Sequence, residues 1–183
     1  MGKINPHLKV KLIISLIFSQ EQILKKTQGL LIRKFGPIDC QSRVMPFTHT
    51  DYYRQEFGEG LKKKILSFKK LIAAQELARI KNISNRIEQK SKNGSNRCIN
   101  IDPGYLSHSK LVLATTKDFA HRIYLNNGIY AEVTLVYTAK TFRGWDWTYP
   151  DYRTPEYINI FNEIREIYRN QITKIPNKTQ IPI

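Results

Sequence analysis

At 183 residues, 41% of them hydrophobic and 11% aromatic, the chain fits one domain with a core of its own, which excludes a disordered protein. The longest apolar run, Leu12 to Phe18 with one serine in it, is far short of the roughly 20 residues that cross a bilayer, and no small-residue cleavage site follows. A cytosolic protein that does not enter membranes is therefore expected. Cys40 and Cys98 lie far apart with no partner at a zinc-ligand spacing, so neither a disulfide framework nor a structural zinc is indicated.

The net charge of +15 is uneven: residues 1 to 100 hold 20 Lys/Arg against 7 Asp/Glu, and residues 101 to 183 hold 10 against 8. Concentrated positive charge favours anionic partners such as RNA, nucleotides or acidic proteins. The 24 isoleucines and 12 asparagines also suit an AT-rich genome, in which lysine codons accumulate without function.

Residues 1 to 9 show no period and read as an arm. Val10 to Phe18 is β-branched and apolar enough for a buried central strand. Ser19 with Gln22 offers a capping box for a helix carrying Ile23, Thr27, Leu30, Leu31 and Lys34, and Gly36-Pro37 ends it. Ile38 to Phe47 reads as extended, with Pro46 at an edge or bend. His49 to Gly60 is a polar, aromatic connection, Leu61 to Phe68 a basic strand, and Ala73 to Lys90 a helix with Leu77, Ile80, Ser84 and Ile87 on one face. A loop over Lys92 to Asn96 leads to a strand over Arg97 to Asp102.

This order predicts an α+β fold with a ferredoxin-like βαββαβ core, in which two helices cover an antiparallel sheet. A C-terminal β-hairpin and a final helix extend it. Leu106 to Thr116 suits either a short helix or a strand. Thr154-Pro155-Glu156 starts the last helix, with Tyr157, Phe161, Ile164 and Tyr168 as its buried stripe. The domain is expected to span residues 1 to 172, with 173 to 183 a loose tail.

Asn126-Asn127-Gly128 between two alternating runs predicts a three-residue hairpin loop, which pairs Arg122 with Glu132, Ile123 with Ala131 and Tyr124 with Tyr130. One face then carries Ile123, Leu125, Ile129, Ala131, Val133 and Leu135, which should bury; the other presents Arg122, Tyr124, Tyr130, Glu132 and Thr134. A two-residue loop at Asn127-Gly128 would shift the register and bury Glu132 unpaired, a costly outcome. As structure, the polar face is a cross-strand ion pair and an aromatic pair. As a site, its guanidinium, carboxylate and phenols suit a phosphate, a carboxylate or a planar ring.

Gly58-Glu59-Gly60-Leu61-Lys62 lacks the spacing of a phosphate-binding P-loop, and Thr115-Thr116-Lys117-Asp118 lacks the spacer of a guanine-reading motif. His49 and Asp51 with Asp102 and Glu132 give no local metal-ligand spacing, so no metal site is assigned. His121 is a candidate acid/base or phosphate ligand, or else a strand-end residue with a satisfied ring. Asp102-Pro103-Gly104 reads as a turn at a strand end, where a carboxylate can also face a cleft. No motif names a cofactor or an oligomeric state.

Asp51-Tyr52-Tyr53 with Glu56 and Gly58, then NIDPGYL from residue 100, LVLATTKD from 111, HRIYL from 121, GIYAEVTLVY from 128 and TYPDYRTPEY from 148 carry a resemblance over nearly the whole chain. It is to a bacterial family of domains of unknown function, the one numbered forty-four sixteen. Phe57 stands where members usually have methionine, and His49 lies outside the pattern. The resemblance implies no established reaction. Some members carry a GTP-binding label, which the missing P-loop does not support here.

The expected function is binding of an anionic ligand, a phosphorylated small molecule or nucleotide or else RNA, with Lys117 and Arg122 neutralising charge and Tyr124 and Tyr130 stacking. Asp51, Tyr53 and Glu56 belong to the same ligand-binding set. A small enzyme working through Asp102, His121 and Glu132 is the alternative, and a protein-interaction module without ligand a further one.

Overall fold

A computed structural model of the chain describes residues 4, 6–48, 57, 59–92, 94 and 96–174. Most of the connection from His49 to Gly60, and the tail from residue 175 onward, thus lie outside the described residues.

Strand β1 (Val10–Phe18) is buried at every position, as a run without polar alternation requires of a strand covered on both faces. Helix α1 (Glu21–Phe35) follows, and then two short strands, β2 (Ile38–Gln41) and β3 (Met45–Pro46), in place of the single extended segment expected. Gln20 rather than Ser19 is the N-cap, and no side chain caps the helix. At its other end Gly36 takes φ 92°, a left-handed stop that glycine enters without strain. The stripe buried is Leu24, Thr27, Leu31 and Phe35.

Strand β4 (Lys62–Ile72) leads through a 3-10 turn at Ala74–Glu76 into helix α2 (Leu77–Lys90). Strands β5 (Ile99–Leu106) and β6 (Lys110–Thr115) come next, so the ambiguous segment before Thr116 is a strand. The hairpin pairs β7 (Arg122–Asn126) with β8 (Ile129–Thr138). It is followed by β9 (Thr141–Gly144), a 3-10 turn at Asp151–Arg153 and helix α3 (Pro155–Thr173). Thr154 accepts the Tyr157 N–H, Pro155 occupies the first helical position, and the expected stripe is buried.

The sheet is antiparallel, with nine strands among the described residues. Its order is β2-β4-β1-β5-β6-β8-β7, with β3 on β4 and β9 on β8. One face packs Val10, Leu12, Ile14, Leu16 and Phe18 against both α1 and α2 through Leu24, Leu31, Ile80 and Ile87. The other packs Ile13, Ile65, Leu111 and Leu135 against α3 through Tyr157, Phe161, Ile164 and Tyr168. Helices on both faces make a three-layer α+β sandwich with a larger sheet than a βαββαβ unit has. No helix of the described residues is long and apolar enough to cross a membrane.

The hairpin holds the expected pairs Arg122 with Glu132, Ile123 with Ala131 and Tyr124 with Tyr130, but by another route. Asn127 (φ 50°) and Gly128 (φ 75°) make a two-residue turn closed by Asn126 against Ile129. An irregularity between Tyr124 and Asn126 absorbs the extra residue and restores the register. Burial departs from expectation. Strand β7 is an edge, which leaves Ile123 70% and Leu125 37% exposed, whereas Ile129 and Leu135 bury.

Candidate functional site

The sheet divides between β5 and β6. These strands pair only where Gly104, Tyr105 and Leu106 face Leu113, Val112 and Leu111, while β5 stays on β1 as far as Ile99 opposite Phe18. A β-carbon on Gly104 would meet the Val112 carbonyl oxygen at 2.4 Å and Leu113 Cδ2 at 2.7 Å, so only glycine admits the closest approach of the two strands. Asp102-Pro103-Gly104 is accordingly not the turn expected but the interior of β5, at the point where β6 leaves it.

Beyond that point the outer edge of β5 needs other hydrogen-bond partners, since buried backbone groups are almost never left unpaired. They come from α2. Glu88 Oε1 accepts the Ile101 N–H at 2.6 Å, and Lys81 Nζ donates to the Ile101 carbonyl oxygen at 3.0 Å. Seven residues separate the two, close to two helical turns, so they lie on one face of the helix and replace the missing strand.

The gap is a cleft of about 750 Å³, walled by β5 and α2 on one side, by β6 and β8 on the other, and floored by Ile17, Lys63 and the turn carrying Tyr149, Asp151 and Tyr152. Its charged lining balances: Lys63, Lys81, Arg97 and Lys117 against Glu88, Asp102, Glu132 and Asp151.

The first wall is a continuous network. Asp102 accepts from Lys81 Nζ at 2.9 Å and from Asn100 Nδ2 at 2.5 Å. Arg97 donates to Glu88 at 3.0 Å and to Asn100 Oδ1 at 3.3 Å. Burial works to raise the Asp102 pKa, but the charge and hydrogen bond of Lys81, with Lys63 and Asn100, outweigh it and hold the carboxyl below its ordinary value. Glu88 goes the other way: burial pushes it up against the pull of Lys81, the Ile101 N–H and Arg97. In the floor, Lys63 pairs with Asp151, both nearly inaccessible. Its ammonium lies 4.3 Å from the Tyr152 ring centroid, 5.2 Å from that of Phe47 and 5.3 Å from that of Tyr157.

The opposite wall gathers several residues singled out in the sequence. Glu132, 3% exposed, meets Arg122 Nε at 3.0 Å and His121 Nε2 at 3.2 Å. Arg122 also donates to the Lys117 carbonyl oxygen and to the Tyr149 hydroxyl, each at 3.2 Å. Burial and the charge of Glu132 raise the Tyr149 pKa against Arg122, so this phenol stays protonated. His121 stacks on Trp147 at 5.2 Å, and Trp147 on Trp145 at 5.3 Å. That turn is fixed by Thr148, whose hydroxyl accepts the Trp145 N–H and donates to the Thr134 carbonyl oxygen, and by Arg153, which donates to the carbonyl oxygens of Asp146 and Thr148.

The structure thus brings Asp102, Lys117 and Glu132 to one cleft and sets His121 and Arg122 at its rim. Tyr124 and Tyr130 form an edge-to-face pair at 5.2 Å on the hairpin and do not line it. Asp51, Tyr53, Glu56 and His49 lie outside the described residues. His108 packs on Tyr168 and donates no side chain to the cleft. Sequence reasoning missed Lys81, Glu88, Lys63, Asn100, Tyr149 and Asp151. Lys81 and Glu88 continue the spacing of Leu77 and Ser84 on the buried side of α2, and that was the available signal. Among the described residues no group of three His, Cys, Asp or Glu side chains could hold a metal ion.

A family model described as Domain of unknown function (DUF4416) matches residues 8–168. No curated protein matches the chain, and no solved structure does.

Proposed function

We propose that this chain, which belongs to the DUF4416 family, binds a small phosphorylated, hydroxyl-bearing molecule in the cleft between β5 and β6. The carrying observation is the equal number of cationic and anionic side chains on facing walls, held in place by hydrogen bonds before any ligand arrives. A net-neutral lining suits a ligand with both an anionic group and hydroxyl or amine donors better than a bare anion. In this reading Lys117 and Arg122 face the phosphate, while Asp102 and Glu132 accept from hydroxyls. The strand order β2-β4-β1-β5, with α1 and α2 on one face, supports a ferredoxin-like reading of the core, to which β6 to β9 and α3 are additions.

One observation favours a second reading, acid–base catalysis in the same cleft: the His121 ring nitrogen bonded to Glu132. Asp102, held ionised by Lys81, is a poor proton carrier at neutral pH. His121 would take that role.

Thermal unfolding in the presence of phosphorylated sugars, nucleotides and inorganic phosphate tests the binding reading. At about 100 times its dissociation constant a ligand adds ~2.7 kcal/mol, which raises the melting temperature by several degrees. A phosphorylated polyol or nucleoside should do this, inorganic phosphate should do so much less, and Asp102→Asn and Glu132→Gln should cancel the gain. Unchanged melting with every phosphorylated compound refutes the proposal.

A further inference from the structure

The two layers that cover the sheet differ in charge, and that difference separates function from codon usage. Helix α1 exposes Lys25, Lys26, Arg33 and Lys34; helix α2 exposes Arg79, Arg86 and Lys90, with Lys92 just beyond it. Against these eight cations the same segments hold two carboxylates that are not buried, Glu21 and Glu76, a local excess of 8 − 2 = 6 positive charges. Glu21 meets Lys62 and Glu76 meets Arg79. Among the described residues no carboxylate lies within ion-pair distance of the other cations on α1 or of Arg86, Lys90 and Lys92.

The opposite layer, residues 155–174, holds three cations (Arg165, Arg169, Lys174) and three carboxylates (Glu156, Glu163, Glu166). Lysine accumulated through codon bias would fall on every solvated surface alike. Here the excess follows the fold, because α1 and α2 bury their apolar stripes in one cluster and so turn their charged sides outward together.

We infer that the outer face of α1 and α2 binds nucleic acid through its phosphate backbone, without reading bases. The occupant follows from charge complementarity and from what the face lacks. Ile32, 42% exposed, is the one large exposed apolar side chain that α1 and α2 carry among the described residues, so the face has no apolar anchor for a bilayer or a protein core. Among the described residues no exposed aromatic ring lies on α1 or α2 either, which removes base stacking as the source of affinity. Several exposed cations on one face suit the repeated phosphates of a duplex, and a polymer of phosphates gains affinity from each cation it meets by releasing counterions. The inference does not depend on the cleft, which α2 lines with Lys81, Asn85, Glu88 and Gln89 and with none of the cations named above.

The test is fluorescence anisotropy of the full chain with labelled RNA and DNA duplexes of about 20 base pairs and arbitrary sequence, over a salt series. Six phosphate contacts would cost on the order of 10³ in affinity between 50 and 200 mM salt. The double variants Lys26→Glu/Arg33→Glu and Arg86→Glu/Lys90→Glu, all at exposed positions, should each weaken binding more than about tenfold and lower the salt slope by about 2. The same charge change off the face, Lys140→Glu/Lys174→Glu, should leave binding within about twofold, with circular dichroism confirming the fold of each variant. Failure to bind either duplex overturns the inference. So does equal weakening by the on-face and off-face variants, and so does binding to phosphatidylglycerol vesicles in place of duplexes.

Discussion

Gly104 and Val112 approach so closely that a β-carbon on the first would stand 2.4 Å from the carbonyl oxygen of the second. This contact is the last before β5 and β6 part, so it anchors both the sheet and the cleft. The obstructing atom belongs to the backbone and cannot swing aside. Gly104→Ala should therefore cost about 2 kcal/mol or more in urea unfolding, as overpacked sites do. A loss below about 0.5 kcal/mol would show that the strands separate freely there.

Among the described residues Lys63 and Asp151 form the most enclosed ion pair, at 5% and 4% side-chain exposure. Removing one partner leaves the other charge buried, so Lys63→Met should destabilise by about 3–5 kcal/mol, whereas Lys63→Met/Asp151→Leu should recover most of that loss. The interaction energy of the double-mutant cycle checks it; additive losses would contradict the pairing.

Two neighbouring carboxylates should give opposite pH dependences. The folded pKa of Asp102 lies below its ordinary value of about 3.9, so its contribution is present above that pH and is lost as pH falls through the lower folded value. The folded pKa of Glu88 lies above its ordinary value of about 4.3, so its contribution is present below that pH and is lost as pH rises through the raised value. Urea unfolding across this range should show Asp102→Asn flattening the acid limb, and Glu88→Gln removing the decline on the other side. Profiles parallel to the unaltered chain would refute both assignments.

The edge position of β7 predicts a contrast between two isoleucines. Ile123→Thr, at a side chain 70% exposed, should change stability by no more than about 0.5 kcal/mol. Ile129→Ala, 1% exposed beneath α2, should cost about 2–5 kcal/mol. Equal losses would mean that β7 is covered in solution.

The legible parts of the sequence were those where period and local chemistry agree. The unbroken run of β1, the Thr154-Pro155 start of α3 with its four-residue stripe, and the pairing of Arg122 with Glu132 all follow from residues close in the chain. The hairpin shows the limit. Its register was legible, but the faces were misjudged, because burial depends on whether another strand lies beyond β7. Asp102 stands out by its type, whereas its partners Lys81 and Asn100 belong to no motif of their own. What joins them is the parting of β5 from β6, and that depends on a glycine whose close neighbour lies eight residues along the chain.

Trp145 and Trp147 are the only two tryptophans of the chain; they stack on each other, and Trp147 stacks on His121 at the rim of the cleft. Under excitation selective for indole, the emission of the whole protein therefore originates from one rigid turn two residues from Tyr149. A change of intensity or colour reports that rim and no other region, so the unlabelled chain carries its own optical probe for the ligand proposed above.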